Sequence, residues 1–261
     1  MIFPHDRQVP EYGVSESIGF LLIFTIVIVG IGLVTLYGYP MLVKQQVSAD
    51  EQIMEKNMIV LQNDVKSLAY KTVPYKETAL KIGGGSLAVY NTSSTPATST
   101  IRIYDNAGNI YENGFSSGDL RYESVNAETD ISLQNGAVVM RDRIRGGSVM
   151  LAEPRWFYDS TAKTLVINLI AINSTERISR AGIGTVQMVL GESNYTYVQN
   201  VGTVGVDYTP DINADYSTAW NTYITKTLGV APTHSGNTYS YSVNGPISLA
   251  IKKYEVIIKS V

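Results

Sequence analysis

The stretch SIGFLLIFTIVIVGIGLVTLYGYPMLV, residues Ser17 to Val43, decides the fold, because none of its 27 residues is charged. A helix of that length spans about 40 Å, which exceeds the roughly 30 Å hydrocarbon core of a bilayer. A helix that is apolar on every side is either deeply buried or in contact with lipid. Tyr37 and Tyr39 lie near one end, where interfacial aromatic side chains are common. The sequence therefore predicts one membrane-spanning helix.

The residues that follow the span indicate a helical segment of different character. Residues 44–81 carry six lysines and five acidic residues, and apolar residues recur among them at close to heptad spacing. Such a stripe can pack on the protein's own head or against identical helices. Val73-Pro74 should end the helix, because the residue before a proline disfavours helical geometry. We therefore expect four parts: a leader at 1–13, a transmembrane and stalk helix at 14–72, a linker at 73–85 and a head at 86–261.

The head shows short apolar runs separated by turn residues, a pattern typical of β-strands. Asn244-Gly245 lies between two alternating runs and predicts a hairpin. One helix is expected from about Ile212 to Leu228, with Gly229 as its stop. The fold class is therefore α+β, in which a long N-terminal transmembrane and stalk helix precedes an antiparallel β-rich, sandwich-like head with one packed helix.

The residues at the start of the span, Gly13-Val14-Ser15-Glu16-Ser17-Ile18-Gly19-Phe20, resemble the processing junction of archaeal type IV pilins and archaellins. In that family a prepilin-type peptidase removes the leader, and the hydrophobic helix stays in the mature protein. The resemblance implies cleavage after Gly13, with Val14 as the new N-terminus and Glu16 at its third position. It also implies that Glu16 acts in assembly and register by pairing with an α-amino group, its own or that of a neighbouring subunit.

Segments of the head extend this resemblance to archaeal pilin-like, membrane-anchored surface proteins. They are Leu133–Val139, Gly147–Met150, Glu153-Pro154, Leu165–Ile172 and Gly182–Val186, and they are joined by Tyr37–Pro40 of the span and by Ala219-Trp220. The protein implied by the resemblance is anchored in the membrane, with its N-terminus in the cytoplasm and its head outside the cell. Its implied partners are membrane lipid, identical or related subunits that pack through the N-terminal helix, and the prepilin-type peptidase.

Residue types needed for catalysis or metal binding are scarce in the chain. It has no cysteine, and His234 is the one histidine of the head, so zinc and copper sites have almost no ligands. No nucleophile elbow or triad is marked by the sequence. The formal net charge of −3 gives no electrostatic footprint for nucleic acid. We therefore expect no enzyme activity, no catalytic residue, no metal, no cofactor and no nucleic-acid partner.

Three clusters of polar or charged residues have simple structural interpretations. Asp105–Asn109 is typical of a turn. Asp211 is expected to begin the helix of the head as an N-cap or first-turn acid. Arg141–Arg145 is expected to be a solvated hairpin tip, or alternatively a contact for acidic partners or lipid headgroups.

Three glycosylation sequons, at Asn91, Asn173 and Asn194, fit a head that faces outward. Two functions remain open from the sequence. The first is a structural cell-surface protein, a type IV pilin-like subunit or minor pilin anchored by its N-terminal helix. The alternative is a membrane-tethered adhesive or carbohydrate-binding β-sandwich module that does not polymerise.

Overall fold

The computed structural model of the chain describes residues 12–71, 73–93 and 98–261. Residues 1–11 of the predicted leader lie outside these ranges. The chain divides into two compact units, Met1–Ser48 and Ala49–Val261. Its predicted class is confirmed, because a long apolar N-terminal helix precedes a mostly antiparallel β-rich domain with a further helix.

The described part of the first unit is helical. Helix α1 (Tyr12–Leu33) continues through a π-helical segment (Val34–Gly38) into α2 (Tyr39–Lys71). The π turn has a local cause, since Pro40 lacks an amide hydrogen and its ring crowds the carbonyl one turn earlier. The Tyr39 N–H instead bonds the Val34 carbonyl, five residues back. The proline thus widens the helix locally without ending it.

The second unit begins within α2, whose apolar stripe is buried against a sheet. Its fully buried side chains include Met54, Met58, Leu61, Val65 and Leu68. Burying each such side chain stabilises the fold by about 1.5–3 kcal/mol. Of the two packing arrangements that the stripe allowed, the chain therefore uses the one on its own head. The boundaries expected from sequence shift accordingly, because residues 49–71 belong to the head and not to a separate stalk.

Fourteen strands are present among the described residues, and they form two sheets with one helix, α3 (Ser217–Leu228). The strands are β1 (Tyr75–Tyr90), β2 (Thr100–Asp105), β3 (Ile110–Ser116), β4 (Asp119–Ser124), β5 (Thr129–Gln134), β6 (Ala137–Asp142), β7 (Ser148–Ala152), β8 (Phe157–Asp159), β9 (Thr164–Ser174), β10 (Ser179–Val201), β11 (Val204–Thr209), β12 (Thr233–Ser235), β13 (Thr238–Val243) and β14 (Ile247–Ser260).

The larger sheet has nine strands in the order β7-β6-β5-β4-β1-β10-β14-β9-β8, and the smaller has five in the order β12-β13-β11-β2-β3. The β14–β9 pair is parallel, and the other strand pairs among the described residues are antiparallel. One apolar core lies between α2 and the larger sheet. A second core combines the smaller sheet, α3 and the other face of the larger sheet. The larger sheet is therefore the central layer of the head.

The linker expected at 73–85 is mostly strand, since β1 begins at Tyr75. The triglycine Gly83–Gly85 lies inside β1, at a register shift between Ile82 and Leu87. A Cβ on Gly85 would overlap the Glu123 carbonyl oxygen of the neighbouring strand. Close approach of a backbone, and not a flexible connection, explains why glycine occupies this position.

The hairpin predicted at Asn244-Gly245 is wrong, because the strands on either side belong to different sheets. Strand β13 pairs with β11 and β12, whereas β14 pairs with β10 and β9. A Cβ on Gly245 would overlap the backbone carbonyl oxygens of Val201 and Gly202. The connection from β13 to β14 therefore passes directly against the end of β10. The Asn244-Gly245 sequence therefore marks the point at which the chain passes from the smaller sheet to the larger one.

Helix α3 begins later than predicted, at Ser217. The role predicted for Asp211 is therefore wrong, because the N-cap is Tyr216 and the first turn has no acidic residue. The Asp215 carboxylate, just before the N-cap, accepts the Ser217 N–H at 2.7 Å. The predicted stop is confirmed, since Gly229 adopts a left-handed conformation with φ 68°. One face of α3 is buried in the core, with Ala219, Trp220 and Tyr223 on it.

Candidate functional site

The apolar helix of the first unit exposes its side chains along its length. Phe20, for example, is 72% exposed, and Ile31 is 60% exposed. Its most apolar 18-residue window has a mean hydropathy of 2.8 and no residue buried inside the protein. The described part of the chain therefore has one helix that is long and apolar enough to cross a membrane.

The residues of the predicted processing junction lie at the start of this helix. The backbone of Gly13 and Val14 is in the first turn of α1. Side chains of residues 12–15 lie outside the described part of the structure. Glu16 is exposed and lies at the N-terminal end of the uncharged span.

Two further apolar side chains are exposed on the part of α2 that belongs to the head. Ile53 and Val60 are 41% and 48% exposed. They are seven residues apart and flank the buried stripe, so they share one side of the helix. Ile53 and Val60 therefore form a small apolar strip that does not pack into the core of the head.

The three sequons differ sharply in their surroundings. The Asn91 amide donates to the Ser174 carbonyl at 3.1 Å, and its oxygen accepts the Ser174 N–H at 2.7 Å. The Asn173 amide donates to Glu255 at 2.7 Å, and its oxygen accepts the Thr92 N–H at 2.9 Å. These two side chains tie the end of β1 to the end of β9. Asn194 of β10 is exposed by comparison.

A buried ionic network joins β4 to the loop that precedes α3. The Arg121 guanidinium lies 2.8 Å from Asp119 and 3.0 Å from Asp211, and all three side chains are less than a tenth exposed. Burial raises the pKa of the Asp119 carboxyl, and the nearby Arg121 charge opposes that rise. Ser132 donates to the same carboxylate at 2.7 Å. The network therefore links the loop before α3 to β4, and this structural contact explains why a carboxylate is buried at Asp211.

The Asp105 carboxylate is fully engaged in the turn predicted at this point. It accepts the backbone N–H groups of Ala107 and Asn109, the Asn109 amide and the Tyr111 hydroxyl. The Asn109 amide and the Tyr111 hydroxyl lower the pKa of Asp105 to about 2. This carboxylate therefore stabilises a turn.

The basic cluster Arg141–Arg145 is solvated only at its end. Arg141 pairs with buried Asp130 at 2.6 Å, and Arg143 lies 3.5 Å from the same carboxylate. Arg145 is 88% exposed, as the hairpin-tip interpretation requires. His234 is exposed and stacks on the Tyr239 ring, with 4.6 Å between centroids. Within the described ranges, no group of three or more histidine, cysteine or acidic side chains could hold a metal ion.

An open aromatic surface, missed at the sequence level, lies on the larger sheet. Strand register places Phe157, Val166, Ala250 and Tyr197 in one row across β8, β9, β14 and β10. Residues directly opposite each other in paired strands project from the same face. Tyr195 projects from this face as well, because side chains two apart on a strand do so. The row could not be found from sequence, since its four members are far apart in the chain.

The protein is thus an α+β protein in which one apolar, exposed helix leads into a two-sheet head. The chain belongs to a family of unknown function, DUF7289, whose family model matches residues 13–258. No curated protein and no solved structure matches the chain. Its function therefore has to be argued from the geometry.

Proposed function

We propose that this chain is a type IV pilin-like subunit or minor pilin, anchored by its N-terminal helix, with its N-terminus in the cytoplasm and its head at the cell surface. The observation that carries the proposal is the apolar helix, which is exposed on all sides and continues without a break into the core of the head. In a membrane, lipid would cover it. In a filament, helices of other subunits would replace the lipid.

The glycines of the helix support contacts with other helices. A Cβ on Gly19, Gly30 or Gly32 would meet no atom of the chain within 4 Å. These glycines are therefore not required by packing inside the subunit. Small residues in apolar helices let neighbouring backbones approach closely, and this is the role we assign to them. The exposed pair Ile53 and Val60 would extend the contact beyond the membrane.

The proposed processing would leave nearly all of the family match in the mature protein. The match covers residues 13–258, and the mature chain would begin at Val14. After cleavage by a prepilin-type peptidase, Glu16 would lie two residues from a free α-amino group. A carboxylate and an ammonium in an apolar surrounding attract each other strongly, which would fix the register between neighbouring helices.

The second candidate, a tethered carbohydrate-binding module that does not polymerise, is favoured by the open aromatic surface around Tyr195 and Tyr197. One experiment separates the two candidates. The chain is isolated from the cell envelope, its N-terminus is sequenced, and the same fraction is imaged by negative-stain microscopy. An N-terminus at Val14 together with filaments that contain the chain supports the pilin-like subunit. An intact N-terminus without filaments contradicts it and supports the tethered module.

A further inference from the structure

The open face of the larger sheet has aromatic walls and a low floor. In the row Phe157, Val166, Ala250 and Tyr197, the two outer residues are large and half-exposed, at 48% each. The two inner residues are smaller. Four neighbouring strands place the outer pair about 14 Å apart. The row therefore forms a shallow trough across β8, β9, β14 and β10.

Two parallel tyrosines form one wall of this trough. The rings of Tyr195 and Tyr197 are 6.4 Å apart between centroids, with 8° between their planes. Tyr195 is 57% exposed. The Gln199 amide donates to the Tyr197 hydroxyl at 3.0 Å and lowers the pKa of that phenol. Rings held in this way present apolar surface to a ligand at a low cost in conformational entropy.

Positive charge borders the tyrosine wall. The Lys252 ammonium lies 5.6 Å from the centre of the Tyr195 ring. Arg155 covers the Tyr70 ring at 5.0 Å, and that ring meets Tyr254 edge-on. Among the residues that the structure describes, neither Lys252 nor Arg155 has an ion-pair partner within 4.0 Å. Both cations are therefore available to an anionic ligand, although the whole chain is acidic.

We infer that this trough binds an acidic polysaccharide, one whose sugars carry carboxylate or sulfate groups. The apolar faces of sugar rings would stack on Tyr195, Tyr197 and Phe157, and the anionic groups would pair with Lys252 and Arg155. Small side chains at Val166 and Ala250 leave the floor low enough for a chain of sugars to lie across the strands. The site is independent of polymerisation, since every residue in it belongs to one head.

Nucleic acid is the competing anionic ligand, because bases also stack on aromatic rings. Its binding depends on neutralising many closely spaced phosphates. Two cations on a chain with a net charge of −3 do not supply that contact. A polysaccharide with fewer charges and more apolar ring surface fits the balance of aromatic and basic groups better.

The test uses the full chain in detergent and a fluorescent polyuronate oligosaccharide prepared from alginate. Fluorescence polarisation should show saturable binding that a neutral dextran of the same length does not displace. Tyr195→Ala combined with Tyr197→Ala should weaken the affinity about tenfold or more, and Lys252→Gln should weaken it severalfold. Tyr75→Ala is the matched control, because Tyr75 is 43% exposed and β-strand alternation directs it to the opposite face.

Circular dichroism should confirm that each variant is folded before its binding is measured. Lys252→Gln also provides a test that does not depend on the loss of two large side chains. The inference is overturned if the wild-type chain shows no saturable binding of alginate, or if the tyrosine and lysine variants bind as tightly as the Tyr75 control. Displacement by a single-stranded oligonucleotide at lower concentration than by alginate itself would equally overturn it, in favour of nucleic acid.

Discussion

Arg121 and Asp211 are ninety residues apart in the sequence, and yet their side chains meet at 3.0 Å in the interior of the head. Arg121 lies on β4 of the larger sheet, and Asp211 lies in the loop between β11 and α3. The Tyr90 ring covers the guanidinium at 4.4 Å. This contact fixes the loop before α3 to the central layer of the head.

Replacing Arg121 should destabilise the head severely. Arg121→Met leaves the carboxylates of Asp119 and Asp211 buried without their counter-ion, which typically costs about 3–5 kcal/mol. Thermal unfolding followed by circular dichroism would measure the loss. Arg102→Met is the control, since Arg102 is 45% exposed and pairs with Asp207 at 3.8 Å. Equal melting temperatures for the two variants would contradict the role assigned to Arg121.

The triglycine offers a test within one segment of β1. Gly85→Ala should cost about 1–3 kcal/mol, because the added methyl group overlaps the Glu123 backbone carbonyl. Gly83→Ala should cost less, since its methyl group meets only the movable Asp50 carboxylate. Denaturant unfolding of the two variants compares them directly. A flexible connection would tolerate both substitutions alike.

The Asp105 carboxylate should make the free energy of unfolding of the head depend on pH. Its pKa is about 2 in the folded chain, below the ordinary value of 3.8, because the folded state stabilises the carboxylate. The stabilisation is therefore complete above about pH 4 and disappears as the pH falls through 2. The free energy of unfolding of Asp105→Asn should be lower than that of the wild type at neutral pH. The difference should shrink in acid, and a gap that stays constant from pH 6 to pH 2 would argue against this origin.

If the head is exported and glycosylated, Asn194 should carry the glycan. Its side chain is exposed, whereas the amide nitrogens of Asn91 and Asn173 both donate hydrogen bonds. Mass spectrometry of protein from the native envelope should find a modified peptide that Asn194→Gln abolishes. Asn91→Gln and Asn173→Gln should instead lower the melting temperature. A glycan found on Asn173 alone would refute this assignment.

Filament assembly, if the chain is a pilin-like subunit, should depend on Glu16 and on the exposed strip of α2. Glu16→Ala should leave membrane insertion intact but reduce filament yield. Ile53→Asp should do the same, because it places a charge in the proposed contact between subunits. Gln52→Asp is its control, since Gln52 is exposed on another side of α2 and receives the same charge. Filament counts by electron microscopy and membrane fractionation would measure both effects, and an unchanged yield would exclude these residues from assembly.

The features that could be predicted from sequence are those with strong periodicity. The uncharged span, the buried stripe from Met54 to Leu68 and the inner face of α3 all repeat at helical spacing within one continuous segment. Strands β4 and β5 lack such a guide, because both carry charged residues and yet are almost entirely buried. In the structure Asp119 and Arg121 of β4 neutralise each other, so a strand with ionic residues is buried.

The open aromatic surface shows a different limit. Phe157, Val166, Tyr197 and Ala250 become neighbours only through the register of four strands, one pair of which is parallel. No local pattern marks them. The Asn244-Gly245 signal failed for a related reason, because a turn sequence specifies a bend but not which sheet receives the next strand.

The burial of α2 within the head has a mechanical consequence. Separation of α2 from the head would require the whole stripe from Met54 to Leu68 to leave the core, and not merely one connecting peptide to give way. Several large apolar side chains of α2 would have to be exposed to solvent together before the helix could move out of the core. A protein held at one end by an apolar helix would thereby resist detachment of its head through its own core.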